Sequence, residues 1–382
     1  MLIILQTIFA AMLIALSDYL FYGCATISAI LLFYYLYFFS RLAFFKPKET
    51  DTHTDSPVSI IVCSRDELNN LRQNVPQILQ QQYEAPFELL VVNDNSSDNT
   101  RHEMQWLSLQ QQRLKVINID SEASIYTGKK YPLSIGIREA THGHLLLTDA
   151  DCAPASENWS SLMMSAFSQQ TEIVIGYGAY QKLPGLLNKI IRFETFHSAL
   201  QYLSYALAGL PYMGVGRNLS YKKELFSRHR GFASINHIPG GDDDLFISKA
   251  ATNKNTAIVT NPNAHTISIP KKSWGDWKRQ KTRHYSTSKY YKPKHKFLLG
   301  LYSLSQFLFY PLLITTAILF SWQIAVGIFV VKSTIQYIVF SKAMKQLNES
   351  DLIGWIVLMD MWMFFYYLLF AKTLWKKEKK KW

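Results

Sequence analysis

Leu145-Leu146-Leu147-Thr148-Asp149-Ala150-Asp151 reads as a short apolar strand that runs straight into two carboxylates. Four apolar or β-branched residues bounded by polar ones are too few for a helix and suit a buried strand. In an open α/β sheet, ligands bind beyond the carboxyl ends of the strands, so acids at that end project into a crevice. Asp-x-Asp in isolation is equally a solvated turn, and its meaning depends on what lies around it.

Working outward, short apolar runs alternate with amphipathic stretches, the pattern of βαβ units on a parallel sheet. Val58 to Cys63 predicts a first strand, Phe87 to Val92 a second, Leu114 to Ile119 a third and Leu145 to Thr148 a fourth. Helices are expected over Glu67 to Gln82 and Tyr131 to Thr141. The first strand delivers Ser64, Arg65, Asp66 and Glu67 to the edge where the fourth delivers Asp149. The second delivers Asn93-Asp94, then Asn95 to Thr100, a run rich in turn and helix-capping residues in which Ser97 or Asp98 suits a cap. Three strands ending in polar groups on one rim point to a site.

Both ends of the chain are apolar. From Met1 to Ser40 the only charged residue is Asp18, which is room for one spanning helix with a leader or for a hairpin. A cleaved signal peptide is not expected, because no basic segment precedes the apolar run and no small-x-small site follows it. Arg41, Lys46 and Lys48 mark the exit, and residues 50–57 form a polar linker. The soluble part is expected to end near 285, and three more apolar segments follow at about 297–320, 322–341 and 351–371. The expected division is therefore 1–45 as anchor, 55–290 as catalytic domain and 297–375 as membrane region, with one or two helices in the first and two or three in the last.

The chain carries 40 Lys and Arg against 28 Asp and Glu, a formal charge of +12. The surplus is concentrated at 271–296, where Asp276 is the only acid, and at Lys376 to Lys381. Both clusters flank apolar segments, which fits cytoplasmic membrane edges and anionic lipid headgroups, and no nucleic-acid partner is needed to explain them. Three crossings after a cytoplasmic domain would carry the basic tail to the opposite side, where that charge bias is not expected. Either one segment lies in the interface or is re-entrant, or the bias is broken. Cys24, Cys63 and Cys152 have no metal-type spacing, and an odd number opposes a disulfide framework.

Together these motifs resemble family 2 of the glycosyltransferases, whose GT-A fold is an α/β, Rossmann-like mixed sheet, here with N- and C-terminal transmembrane helices. Val58 to Glu67 looks like the opening strand, Val91 to Thr100 the nucleotide-binding turn, and Gly128 to Ile137 with Leu146 to Asp151 the donor segment and metal motif. The resemblance covers about 58–290. It implies that Ser64, Arg65, Glu67, Asp94, Lys129 or Lys130, and Asp149 bind a nucleotide-sugar donor, and that Asp149 and Asp151 hold Mg2+ or Mn2+. Gly214 to Tyr221 is similar to the segment lining the acceptor, with Gly216, Arg217 and Asn218 at its centre, or else is an ordinary glycine-containing loop.

Gly240 to Leu245 stands where the family has Glu-Asp, whose Asp is the general base. Alignment on Leu245 selects Asp242, alignment on the acidic pair selects Asp243, and Asp244 belongs to the same cluster; helix capping is the competing role. Gln280-Lys-Thr-Arg283-His284 is similar to Gln-x-x-Arg-Trp of membrane-embedded, processive members. It implies that Gln280 and Arg283 meet the diphosphate and that His284, replacing Trp, faces the acceptor. The expected activity is inverting transfer to a lipid-linked or glycan acceptor at the cytoplasmic face of a multi-pass inner-membrane protein. The alternatives are a processive polysaccharide synthase and an inactive membrane scaffold. Lys332 and Asp360, charges within apolar segments, are expected to pair between helices.

Overall fold

The structure is a computed structural model that describes residues 1–47, 56–120, 128–285 and 287–371. Residues 50–55 of the expected linker and the basic tail at 376–381 lie outside these.

The apolar strand runs give β1 (Val58–Ser64), β2 (Phe87–Asp94), β3 (Leu114–Ile119) and β4 (His144–Asp149), parallel to one another in the order β3-β2-β1-β4. The sheet then turns mixed. β8 (Leu219–Lys222) is antiparallel to both β4 and β6 (Ile173–Ile175), and β9 (Thr256–Ile258) closes the far edge. A second, three-stranded sheet joins β5 (Cys152–Pro154), β10 (Thr266–Ser268) and β7 (Gly178–Tyr180).

Every residue of β1 is buried because the sheet is covered on both faces. Alternation sends Ile60, Val62, Leu89, Val91 and Leu146 into one core, shared with α3 (Leu68–Leu79), α4 (Thr100–Gln110) and α6 (Trp159–Met164). Ile61, Leu90, Val92, Leu145 and Leu147 enter the other, with α5 (Lys130–Glu139) and α7 (Leu186–Leu207). Short helices α8 (Lys223–Arg228) and α9 (Asp244–Ala250) and the longer α10 (Trp274–Tyr285) complete the domain.

The N-terminal segment is one continuous helix, not a hairpin. α1 (Leu2–Phe33) passes through a π-helical turn at Tyr34–Phe39 into α2 (Ser40–Ala43). The i→i+5 bonding of that turn keeps residues four and five apart on one side, so Tyr34, Tyr35, Phe38 and Phe39 are all buried. α11 (Pro293–Leu319) packs against α1, α12 (Trp322–Gln346) returns, and a 3-10 segment at Ser350–Trp355 leads into α13 (Ile356–Ala371). By length and composition, Ala15–Ala43, Pro293–Leu319, Trp322–Gln346 and Ser350–Ala371 qualify as membrane spans.

α7 joins the α/β domain to this bundle and is buried on nearly every side. A helix so placed needs partners for its charges, and it has them. Arg192 pairs with Glu349 and with Asp351 at 2.7 Å, and Glu194 pairs with Lys281 of α10 and accepts from the Tyr366 hydroxyl of α13 at 3.1 Å.

Lys332 and Asp360 pair between α12 and α13, as their positions in apolar segments suggested. Gln306 donates to Asp360 at 2.6 Å and Gln336 at 2.7 Å, and the Tyr310 hydroxyl donates as well. Removing one member of such a pair strands the other charge, which costs about 3–5 kcal/mol. Lys332→Ala and Asp360→Ala are each expected to lower the thermal midpoint of the purified protein, and the double variant to fall less than the two losses together. Additive losses in that cycle would show that the two charges are not coupled.

Candidate active site

The three parallel strands end in register. Cys63 is opposite Val92 on one side and Asp149 on the other, so Ser64, Asp94 and Asp149 share one rim. Left-handed turns follow at Asp66 (φ 55°) and Asn95 (φ 49°), residue types that tolerate this conformation. The Asp66 carboxylate accepts from the Ser97 N–H at 2.6 Å, the Ser97 hydroxyl at 2.9 Å and the Asp98 N–H at 3.3 Å, clamping one loop to the other. Asp98 accepts from Thr100 N–H at 3.0 Å, at the start of α4, and from Leu68 N–H at 3.1 Å, at the start of α3. Asp66 is a positioning residue that its sequence neighbourhood did not single out; an acid one residue past a strand tip, facing a Ser-Ser-Asp turn, was the available signal.

Within that frame Asp94 is half-buried, and burial raises its pKa while Arg65 opposes the rise. Glu67 is also raised by burial; Asn70 donates to it at 2.5 Å, and it feels both Asp151 and Asp149. Arg65 is exposed, whereas the Ser64 hydroxyl is buried without a partner among the described residues.

Asp149 and Asp151 form the centre. With Cys152, their ligand atoms lie within 4.8 Å of one another. Burial would raise the Asp149 carboxyl, but the ion pair with Lys129 and the charges of Arg217 and Arg283 hold it below the usual carboxylate range. Asp151 is raised, first by burial and then by the charge of Asp149. Two carboxylates crowded together, with one lysine paired to the first, suit a hard divalent cation, which takes oxygen ligands. Burial pushes the Cys152 thiol up, so it stays neutral and does not add a soft ligand.

Cations surround the pair. Arg217 lies 4.5 Å over the Tyr180 ring and donates to Ser268 at 3.3 Å, which aims its charge at Asp149 and Asp151. It therefore sits beside the acids. Gln280 on α10 donates to the Tyr180 hydroxyl at 3.2 Å, and its Oε1 is buried without a partner among the described residues. Arg283 acts on Asp149 from the same helix, and His284 is exposed next to it.

The acidic cluster divides by partner. Asp244 is buried and accepts from the Thr287 hydroxyl at 2.5 Å, Tyr291 hydroxyl at 2.7 Å and Leu245 N–H at 2.7 Å, so it fastens α9 to the segment after α10. Asp243 caps α9, accepting from Asp244 N–H at 2.7 Å and Gly216 N–H at 2.8 Å. Its pKa rises to about 8 through burial and then its two acidic neighbours. Asp242 is half-buried, and its charge acts on Lys129 and Cys63 at the strand rim.

Two expected site residues are turned elsewhere. Lys130 is buried and donates to the Ile238 carbonyl, so Lys129 alone of the two reaches the acid pair. Asn218 is fully buried; it accepts from Trp159 at 3.0 Å and donates to the Tyr177 carbonyl at 3.0 Å and the Ala264 carbonyl at 2.8 Å. It locks the two sheets together and faces no cleft. The closeness of that lock explains Gly176, where a Cβ would come within 2.4 Å of the Asn218 amide.

Residues 59–229 match the model of glycosyl transferase family 2. The mannosyltransferase PcManGT from Pyrobaculum calidifontis, solved in complex with GDP-Man and Mn2+, is similar in structure with a TM-score of 0.58 and 17% identity, over 92% of this chain and 99% of that one. S. aureus TarS 1–349 aligns with a TM-score of 0.42 and 12% identity over 83% of this chain and 91% of its own. Its complex with UDP-GlcNAc gives 0.42 and 11% over the same shares. No curated protein matches the sequence significantly. The mixed sheet is the GT-A fold, and residues 59–229 within it carry the match to glycosyl transferase family 2.

Proposed function

We propose that the protein transfers one sugar from a nucleoside-diphosphate sugar to a lipid-linked or glycan acceptor, with inversion at the anomeric carbon, at the cytoplasmic face of the inner membrane. The observation that carries this reading is the single cleft rim where Asp149 and Asp151 stand among Lys129, Arg217 and Arg283, with the Asp242 carboxylate beside them.

The chain's own groups divide the work. Asp94 accepts an N–H of the base, with Arg65 and Ser64 on the same rim. Lys129, Arg217, Gln280 and Arg283 face the diphosphate, and the planar forks of the arginines suit its paired oxygens. Asp149 and Asp151 hold Mg2+ or Mn2+, which when bound supplies Lewis-acid neutralisation of the leaving diphosphate.

Asp242 is the general base in this reading. Asp243 already accepts two backbone N–H bonds, one on each carboxylate oxygen, from Gly216 and from the start of α9. Asp244 is committed to Thr287 and Tyr291. Asp242 is the member whose carboxylate is left to take the proton of the acceptor hydroxyl, in the register that alignment on Leu245 selects. Asp242→Asn is expected to lower turnover by about 10²–10⁴-fold, the usual contribution of a general base. Asp243→Asn keeps a capping oxygen and should stay within about tenfold of wild type. The reverse ranking would move the base to Asp243.

The donor is identified by nucleoside diphosphate release from UDP-, GDP- and dTDP-sugars, with and without Mn2+ and membrane lipid extract. One donor is expected to respond, with release abolished by a chelator and a product carrying a single added sugar. Chelator-insensitive release would remove the ion from the acid pair, and long products would favour a polysaccharide synthase.

A further inference from the structure

We infer that α13 does not cross the membrane but lies along the bilayer surface on the side of the catalytic domain, so that the chain leaves Ala371 on that same side. Composition alone allows a span over Ser350–Ala371, and the contacts made along the helix contradict one.

Both ends of α13 touch the catalytic domain. Just before the helix, the Trp355 ring lies 4.1 Å from the Lys189 ammonium of α7. Near the other end, Phe370 packs on Trp277 and Tyr285 of α10, with ring centroids 5.7 and 5.6 Å apart. Between them Tyr366 bonds Glu194 of α7. A 16-residue helix is about 24 Å long, so one that left the domain at its start would end near the far side of the hydrocarbon.

Its path over α11 runs the wrong way for a crossing. α11 leaves the catalytic domain at Pro293, so a neighbouring helix that also left would meet ever higher residue numbers. Asp360 meets Gln306 and Tyr310, Phe364 stacks on Phe307 at 5.0 Å, and Tyr367 bonds Ser303. The contacts climb back toward the domain.

The outward face of α13 is uniformly apolar. Val357, Leu358, Met361, Phe365, Leu368 and Leu369 are all more than one-third exposed and lie on one stripe at helical spacing. The exposed apolar faces of α11 and α12 continue beside it, at Leu304 and Ile338 for example. Such a surface is covered by lipid acyl chains, as for an interfacial helix sunk about 5–10 Å below the headgroups. The buried Lys332–Asp360 cluster then acts as a clasp fixing the transverse helix across two spanning ones. Three crossings remain, which places both basic clusters of the sequence on one side, as the bias of Lys and Arg toward the cytoplasmic edge requires.

The test is spin labelling at Leu358→Cys, Phe365→Cys and Leu369→Cys in lipid nanodiscs, since the native Cys24, Cys63 and Cys152 are buried. The three labels are expected to differ in depth by much less than the about 16 Å that a spanning helix would put between the first and last; that full separation, with Leu369 farthest from the catalytic side, overturns the inference. In sealed vesicles, a cysteine appended after Trp382 and one at Leu109→Cys, 87% exposed on the catalytic domain, should react with an impermeant maleimide from the same side. Labelling from opposite sides would equally overturn it.

Discussion

Carboxylates brought together below a surface repel, and each must find a cation, an N–H or a proton. The GT-A sheet creates that problem by delivering Asp94, Asp149 and Asp151 to one rim, and the loop before α9 adds Asp242 and Asp243. Each acid solves it differently. Asp149 takes Lys129, Asp243 takes two backbone amides and holds a proton to higher pH, and Asp244 takes two hydroxyls. What remains are Asp151 and Asp242, which form no ion pair among the described residues, with Arg217 held beside the first by stacking on Tyr180. An arrangement left unbalanced in this way is suited to a cation on one carboxylate and a proton from an acceptor hydroxyl on the other.

The same logic of buried charge fastens the site to the membrane region. α7 carries Arg192 and Glu194 in an otherwise apolar surrounding, and their partners come from three directions: the α12–α13 connection, α10 and α13. α10 also carries Gln280 and Arg283, so the pairing of Lys281 with Glu194 sets the height of those two side chains above the bundle. Substitution of Glu194 would therefore act on the active site through helix position, without touching any reacting atom.

Legibility in the sequence followed the range of the interaction. The parallel strands are set by local apolar runs, and Leu114–Ile119 forms over the residues its composition indicates. Lys332 and Asp360 were readable because a charge in an apolar segment must pair. Asn218 was not readable: its glycine-rich neighbourhood looks like a cleft loop, and only the arrival of Trp159 and the Ala264 carbonyl from distant segments makes it a lock. Lys129 and Lys130 are adjacent, and which one faces the acids depends on where α5 begins, a choice of one residue that local pattern leaves open. Asp242 to Asp244 are chemically identical in sequence and separate only by their partners. The last apolar segment has the composition of a span because one face meets lipid and the other an aromatic core, and composition does not distinguish that from a helix surrounded by lipid.

The transverse course of α13 bears on chemistry as well as topology. α10 rests on it through Trp277, so the helix bearing Gln280, Arg283 and His284 is seated at the bilayer surface instead of above it. An acceptor whose hydroxyl reached Asp242 while its lipid portion stayed in the membrane would need to lift only its head group out of the hydrocarbon. Each CH₂ left in the bilayer spares about 0.8 kcal/mol of transfer cost. For the transfer proposed above, the placement of α13 would spare a lipid-linked acceptor that cost, whereas a soluble acceptor gains nothing from a cleft held against acyl chains.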